Sequence, residues 1–499
     1  MLALLITAAL AGTPTEVVQP ERVTEPGGLT FLGYVQSRVT LTSIETTSPF
    51  LDGQVIGKLG GLNGTKASNE HTASLTEFRT NGLFTYAPVA LNGRAELTAG
   101  FEIDYGFGDQ SYATGGNTGG GFGADQVNLQ TRRLHATFRP RLDGGHSVAI
   151  VVGLQFVGDS VYEPGTSRPD DLFRTGGGLK FFGSEAAGIS AYGRLADGWG
   201  ERIRWRAGWY TLYEQGASIN DDVGLFMADG QWTPEYGFRL GAHAWYLRDR
   251  AGGTAGLGLG SGATSPLSEL QGGPRLDFRD DPLGAAPEVN ADLFWLMVDG
   301  GYNHALDHGP VGVNAAVAAN LGGFYVTGLP DDTGIGWLAN AEGRYRWAAG
   351  DGSVARAELL YTTNDDPGIA GYGGVITGNS YGVVGASWAT QGTYLLFPDM
   401  GAINRQVAVV SDVSNGGQGL VALSSSFGWD IVPNRSGVTL GMAHARSGTS
   451  DVLGTELNAR LRLRPLPLLD VGLAGAAVLA SDQQALPWTA VATLDWVVF

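Results

Sequence analysis

Between residues 94 and 104 charged and apolar side chains alternate. Arg94, Glu96, Thr98, Gly100, Glu102 and Asp104 hold the even positions, and Ala95, Leu97, Ala99, Phe101 and Ile103 the odd ones. Successive side chains of a strand point to opposite faces, so this stretch predicts a β-strand with one apolar and one charged face. The pattern returns at residues 202–211, where Arg202, Arg204 and Arg206 oppose Ile203, Trp205, Ala207 and Trp209. In residues 237–247, Arg239 and His243 face away from Phe238, Leu240, Ala242 and Ala244. Residues 340–347 set Asn340, Glu342, Arg344 and Arg346 against Ala341, Gly343, Tyr345 and Trp347. Residues 456–464 set Glu456, Asn458, Arg460, Arg462 and Arg464 against Leu457, Ala459, Leu461 and Leu463. Residues 131–139 (Arg133, Arg139) and 356–362 (Arg356, Glu358) follow the same rule, with Arg132 out of phase in its strand.

About twenty segments qualify as strands by this period. Those at residues 223–232, 381–390 and 393–397 are the weakest. Connections are of two kinds. Tight turns are expected at residues 88–92, 143–145, 197–200, 349–352 and 433–437, and long loops at 43–72, 108–124, 250–287, 364–379 and 398–419. Five Asp-Asp pairs, at Asp170-Asp171, Asp221-Asp222, Asp280-Asp281, Asp331-Asp332 and Asp365-Asp366, fall in loops and are expected at one end of the sheet. Two loops at one end must be separated by an even number of strands. Three candidates lie between the first two pairs, so either one candidate between Leu172 and Tyr213 fails or one loop is misplaced.

Alternation alone also suits a soluble sandwich, whose apolar face is the core. The ends of the chain favour a different solution. Residues 1–11 form a short apolar run closing on Ala9-Leu10-Ala11, the pattern of a cleaved export signal. Beyond it, no run of 18 apolar residues predicts a membrane helix. Only helices and closed barrels satisfy all backbone hydrogen bonds inside lipid, so an exported chain with this pattern is expected to close into a barrel. Strands of about ten residues, short turns at one end, long loops at the other and aromatic girdles belong to outer-membrane barrels. Trp209, Tyr210, Tyr213, Trp232, Tyr345, Trp347 and Tyr361 are candidate girdle residues. The expectation is a single all-β, antiparallel, up-and-down transmembrane barrel of 18 strands (range 16–20). Residues 29–499 would form it, after a short periplasmic segment at 12–28.

Composition sharpens this. Glycine, at 79 residues in 499, is more than twice its usual share of roughly 7%, without a collagen period, as a turn-rich β chain requires. A net charge of -18 with no basic domain excludes a nucleic-acid partner. The absence of cysteine removes disulfides, thiolate metal sites and a cysteine nucleophile. No cofactor or metal site is expected. The one Gly-x-Ser-x-Gly, at residues 378–382, lacks the strand-to-helix setting of a hydrolase nucleophile. His304 and His308 sit in a turn before Gly309-Pro310 rather than on a helix. The Asp pairs could bridge divalent cations to lipopolysaccharide, although no loop has a spaced calcium ladder.

On the seven best strands the polar face carries Arg94, Arg133, Arg139, Arg202, Arg204, Arg206, Arg239, Arg344, Arg346, Arg356, Arg460, Arg462 and Arg464. Against them stand Glu96, Glu102, Asp104, Glu342, Glu358 and Glu456. These residues are the expected pore lining, with a basic excess that would attract anions. The alternative is that the arginines pair with acids and brace the wall.

The export start, the charged alternating strands, the arginine-rich interior and the terminal Phe499 together resemble the large porin-like outer-membrane barrels, including the alginate-export and anion-selective porin groups. The resemblance implies an outer-membrane channel for small hydrophilic, possibly anionic, solutes, in contact with lipid and lipopolysaccharide. The closing residues Thr493 to Phe499 resemble the signal read by the barrel assembly machinery. Val497 and Phe499 fit it, whereas Asp495 and Thr493 break the apolar face. Two other functions are open: a barrel enzyme of lipase or protease type, and a structural or adhesive barrel plugged by a loop such as residues 250–287.

Overall fold

The computed structural model describes residues 26–45, 66–106, 127–140, 147–158, 183–195, 203–214, 222–234, 237–250, 289–326, 332–366, 371–377, 390, 392–399, 408–410, 413–415, 417–449, 451–481, 483 and 485–498. Residues 1–25, and with them the candidate export signal, lie outside these, as do residues 378–382.

The first nine strands are β1 (Leu29–Thr42), β2 (Ile44–Glu45), β3 (Lys66–Ala67), β4 (Ala73–Tyr86), β5 (Ala95–Gly106), β6 (Val127–Phe138), β7 (Ser147–Gly158), β8 (Gly183–Arg194) and β9 (Ile203–Tyr213). There follow β10 (Val223–Trp232), β11 (Phe238–Asp249), β12 (Val289–Tyr302), β13 (Val311–Val326), β14 (Asp332–Arg346) and β15 (Val354–Thr362). The last five are β16 (Leu420–Val432), β17 (Ser436–Arg446), β18 (Val452–Leu466), β19 (Leu469–Leu479) and β20 (Trp488–Val498).

All but the small β2–β3 pair belong to one 18-stranded sheet, in which each strand pairs antiparallel with the next. The sheet closes because β1 pairs with β4 on one side and β20 on the other, from Gly33↔Val498 to Thr42↔Thr489. A closed sheet has no edge to aggregate or to leave backbone groups unpaired. The expected 18 strands are present. Residues 223–232 form β10, while Thr393 to Phe397 form no strand. Among the described residues two strands, β8 and β9, lie between the first two Asp-Asp pairs, an even number. By their places between strands the five Asp pairs all belong to the same end of the sheet, although Asp332 opens β14 instead of lying in a loop, and the five tight turns all leave the other end.

The pleat sorts the side chains as the alternation predicts. Leu97, Phe101, Leu240, Tyr345, Leu359 and Leu457 are exposed on the outside, whereas Glu96, Glu102, Arg239, Arg344, Glu456 and Asn458 are buried on the inside. The last strand settles the ambiguity at its end. Leu494 and Trp496 point outward, and Val497 packs inside with Leu32 and Tyr34, so Asp495 and Thr493 belong to the interior. Tyr34 Oη donates to Asp495 Oδ1 at 2.6 Å from the same face.

Arg132 is out of phase because of a β-bulge. Gly100 pairs with Arg133 but Phe101 pairs with Thr131, which leaves Arg132 as the extra residue. The bulge lets Arg132 reach the interior, where it meets Glu102 at 2.5 Å, while the Arg133 guanidinium lies over the Phe156 ring.

Candidate pore and the strap that crosses it

The interior has two tiers. Toward the short-turn end it is charged, and most charges whose contacts are defined are paired across neighbouring strands. Arg206 on β9 meets Asp229 on β10 at 2.6 Å. His243 on β11 bridges Asp229 (2.7 Å) and Asp299 on β12 (3.0 Å), and Arg239 closes the row on Asp299 at 2.8 Å. Trp245 Nε1 donates to Asp229 Oδ1 at 3.0 Å. Elsewhere Arg139 pairs with Glu96 (2.7 Å), Arg79 with Glu102 (3.2 Å), Arg462 with Asp430 (2.8 Å) and Arg464 with Asp470 (2.6 Å).

These partners revise the expected charge balance. Glu77, Asp229, Asp249, Asp299, Asp430 and Asp470 are all buried in the interior and were absent from the sequence-derived set. Most sit on strands whose alternation is weak, whereas Asp249 ends the well-alternating β11, just past the stretch 237–247 in which the pattern was read. Of the expected set, Arg202 and the side chain of Asp104 lie outside what is described. Glu358 accepts from Asn340 at 2.9 Å, and Arg346 donates to the Leu306 carbonyl at 3.1 Å. Arg94, Arg133, Arg204, Arg356 and Arg460 sit on inward-facing strand positions or, for Arg94, at a strand entrance. Arg204 lies opposite Arg194 in the β8–β9 register, which concentrates positive charge near the short-turn mouth.

At that mouth the turn between β12 and β13 folds inward. His304 and Leu306 are buried, and His304 Nε2 donates to Glu342 Oε2 at 2.9 Å, while Arg344 binds the other carboxylate oxygen at 2.6 Å. Burial, with Arg344 close by, pushes the His304 imidazole down to about 4, so it is neutral at ordinary pH. Among the described residues no cluster of three or more His, Cys, Asp or Glu could hold a metal ion.

Toward the long-loop end the interior turns apolar. Met227, Trp245, Leu247, Leu293, Trp295, Leu338 and Leu360 face inward and pack against residues of the β15–β16 connection: Val375, Ile376, Leu395, Leu396, Phe397, Val409, Val410 and Val413. Each such side chain contributes roughly 1.5–3 kcal/mol on burial, so this connection is held by its own core. Its two limbs pair with each other, Val409 N to Leu395 O (2.7 Å) and Val410 N to Leu396 O (2.9 Å).

This strap reaches both sides of the barrel. At one end Trp295 Nε1 on β12 donates to Ile376 O at 2.9 Å, and Asn320 Oδ1 on β13 accepts from Ile376 N at 3.1 Å. At the other, Asp399 pairs with Arg38 on β1 at 2.7 Å. In the ring order β12 and β1 stand nine strands apart of 18, on opposite walls. Gly336 is required under the strap, because a Cβ there would overlap the Gly374 carbonyl. Asp365, of the last Asp pair, accepts from Gly373 N at 3.0 Å and tethers the strap's base.

Outside, aromatic residues gather at both ends of the strands. On β14, Trp337 and Tyr345 both point outward and are half exposed. Eight residues apart, they span about 26 Å along the strand, or roughly 20 Å of height after a tilt of ~40°, close to the ~25 Å apolar band of outer-membrane barrels. Trp347 stacks on Phe427 at the short-turn end, with centroids 4.9 Å apart. Tyr210, expected in the girdle, instead faces inward and is buried.

A closed 18-stranded sheet that is apolar outside and charged inside defines the class: a membrane-spanning β-barrel. No protein-family model and no curated protein matches the chain. Among solved structures, OccAB1 of Acinetobacter baumannii is similar over 96% of this chain and 99% of its own, with 10% identity and a TM-score of 0.49. A BenF-like porin from Pseudomonas fluorescens Pf-5 is similar over 94% and 98%, with 9% identity and a TM-score of 0.46. The outer membrane channel DcaP of Acinetobacter baumannii is similar over 94% and 97%, with 12% identity and a TM-score of 0.42.

Proposed function

We propose that this chain is an outer-membrane channel for diffusion of small hydrophilic solutes, with a bias toward anions. One observation carries the reading: the polar face of every well-patterned strand is turned inward in a closed barrel of 18 strands. Barrels of 16–18 strands are wide enough to leave an aqueous lumen. The strap packs in an apolar cluster drawn chiefly from β10–β19, which also takes in Val157, Ala186 and Tyr210 of β7–β9, and the passage is read along the charged wall that carries Arg79, Arg132 and Arg204. The anion bias comes from that wall and from the Arg194–Arg204 neighbours at its mouth. Residues 1–11 direct export and are removed, the C-terminal strand is read by the assembly machinery, and the Asp-rich long-loop end meets lipopolysaccharide. No catalytic step is assigned.

Single-channel recording of the purified protein in a planar bilayer tests this directly. Discrete conductance steps, with a zero-current potential in a salt gradient that favours anions, are the expected result. Recovery as a soluble periplasmic protein, or a bilayer without steps, rejects it.

A further inference from the structure

Glu456 was expected on the pore wall, and it lies on an inward-facing position of β18, yet it is fully buried beneath the strap. Its Oε1 accepts from Tyr394 N at 2.9 Å and from Asn458 Nδ2 at 2.7 Å, and its Oε2 accepts from Leu395 N at 2.9 Å and Leu396 N at 2.6 Å. Three consecutive backbone donors of a connection thus converge on one wall carboxylate. Asn458 also donates to Gly392 O, and Gly441 on β17 leaves room for that carbonyl. Charge-assisted bonds of this kind are about twice as strong as neutral ones, and buried N–H groups left unmet would be costly. The strap beyond this point carries Asp399, which pairs with Arg38 on β1 at 2.7 Å.

We propose that Glu456 is the positioning residue that fixes the strap as a permanent partition, and that it thereby sets the size of solute the channel passes. This rests on the channel reading above. The geometry is specific to a carboxylate of this length. Glutamine would turn an amide NH2 toward a pair of N–H donors whichever way it rotates, and aspartate, one methylene shorter, would withdraw from the three backbone donors while keeping its charge. A residue that merely lined a pore would behave otherwise: Glu456→Asp would leave conductance alone, and Glu456→Gln would alter only selectivity.

The test compares wild type, Glu456→Gln and Glu456→Asp by single-channel conductance and by liposome swelling in sugars of increasing size. Both variants are expected to pass larger sugars than wild type and to show a higher conductance, since a released strap leaves a wider open cross-section. An Arg38→Cys/Asp399→Cys variant, in a chain with no other cysteine, is then bridged with a bismaleimide. Bridging should leave its conductance unchanged if the strap is a fixed partition. Conductance and sugar cut-off equal to wild type in both Glu456 variants would overturn the anchoring role. Loss or gain of conductance on bridging would overturn the permanence of the partition. A wild-type protein that forms no channel would instead remove the channel reading on which both rest.

Discussion

Arg206 and Asp229 are register partners on neighbouring strands, and their side chains share a buried ion pair of 2.6 Å. Asp229 also accepts from His243 and Trp245, so the arginine balances a carboxylate that several strands use. Removing one member of a buried pair leaves an uncompensated charge, a loss of about 3–5 kcal/mol. Arg206→Gln is therefore expected to lower the temperature at which the barrel loses its fast unheated migration in SDS gels, and Arg206→Gln/Asp229→Asn should recover part of the loss. A double variant as unstable as the sum of both singles would show that the two side chains do not interact.

Selectivity should follow the arginines at the mouth rather than that buried row. Arg194 and Arg204 are like-charged register partners, and Arg194 is exposed. Exposed charges act over roughly 8 Å at physiological salt. Arg194→Gln/Arg204→Gln should move the zero-current potential toward cations at low salt, with the shift fading as salt rises. Arg206→Gln should move it far less.

Sidedness can be read with single cysteines, because the chain has none of its own. Thr449, between β17 and β18, is exposed at the long-loop end, and Arg435, between β16 and β17, is exposed at the short-turn end. An impermeant maleimide applied to intact cells should label Thr449→Cys and spare Arg435→Cys. The opposite pattern would invert the barrel in its membrane.

The buried turn at His304 predicts a pH response. The folded state holds this imidazole at about 4, below its ordinary value near 6.5, so the unfolded chain takes up the proton first as pH falls. The stabilisation is fully present above about 6.5 and is lost as pH drops to 4, a few kcal/mol at most. Denaturant unfolding in lipid vesicles at pH 7 and pH 4.5 should show this loss in wild type and a smaller one in His304→Gln. Equal losses would place the acid sensitivity elsewhere.

Strands with dense charge, such as β5, β14 and β18, were legible in the sequence because most inward positions are polar and most outward ones apolar. The same period located the strand ends well enough to put all five Asp-Asp pairs on one end. What escaped it were the acids that neutralise the arginines. β10 reads Val-Gly-Leu-Phe-Met-Ala-Asp-Gly-Gln-Trp, and its upper inward positions are apolar because they face the strap rather than water. An apolar interior erases the contrast between the faces, so Asp229 lost the pattern that would have flagged it. The strap was hidden for the same reason. Thr393 to Phe397 has the short apolar run of a strand, and a connection with a core of its own cannot be told from one by composition. Residues 250–287, the plug offered in the alternative reading, lie largely outside the described residues, while the strap that is seen comes from the β15–β16 connection.

Arg38 belongs to the first strand and Asp399 to a connection 361 positions later, and β1 is also the strand that β20 must find to seal the ring. Glu456, which anchors the strap, lies on the third strand from the end. The interior therefore cannot mature ahead of the wall: the inner tether and the outer seam wait for the same late arrivals. A chain stalled before its last strands would present an open sheet edge together with an unseated apolar strap. Cellular proofreading that detects either defect would thereby inspect both.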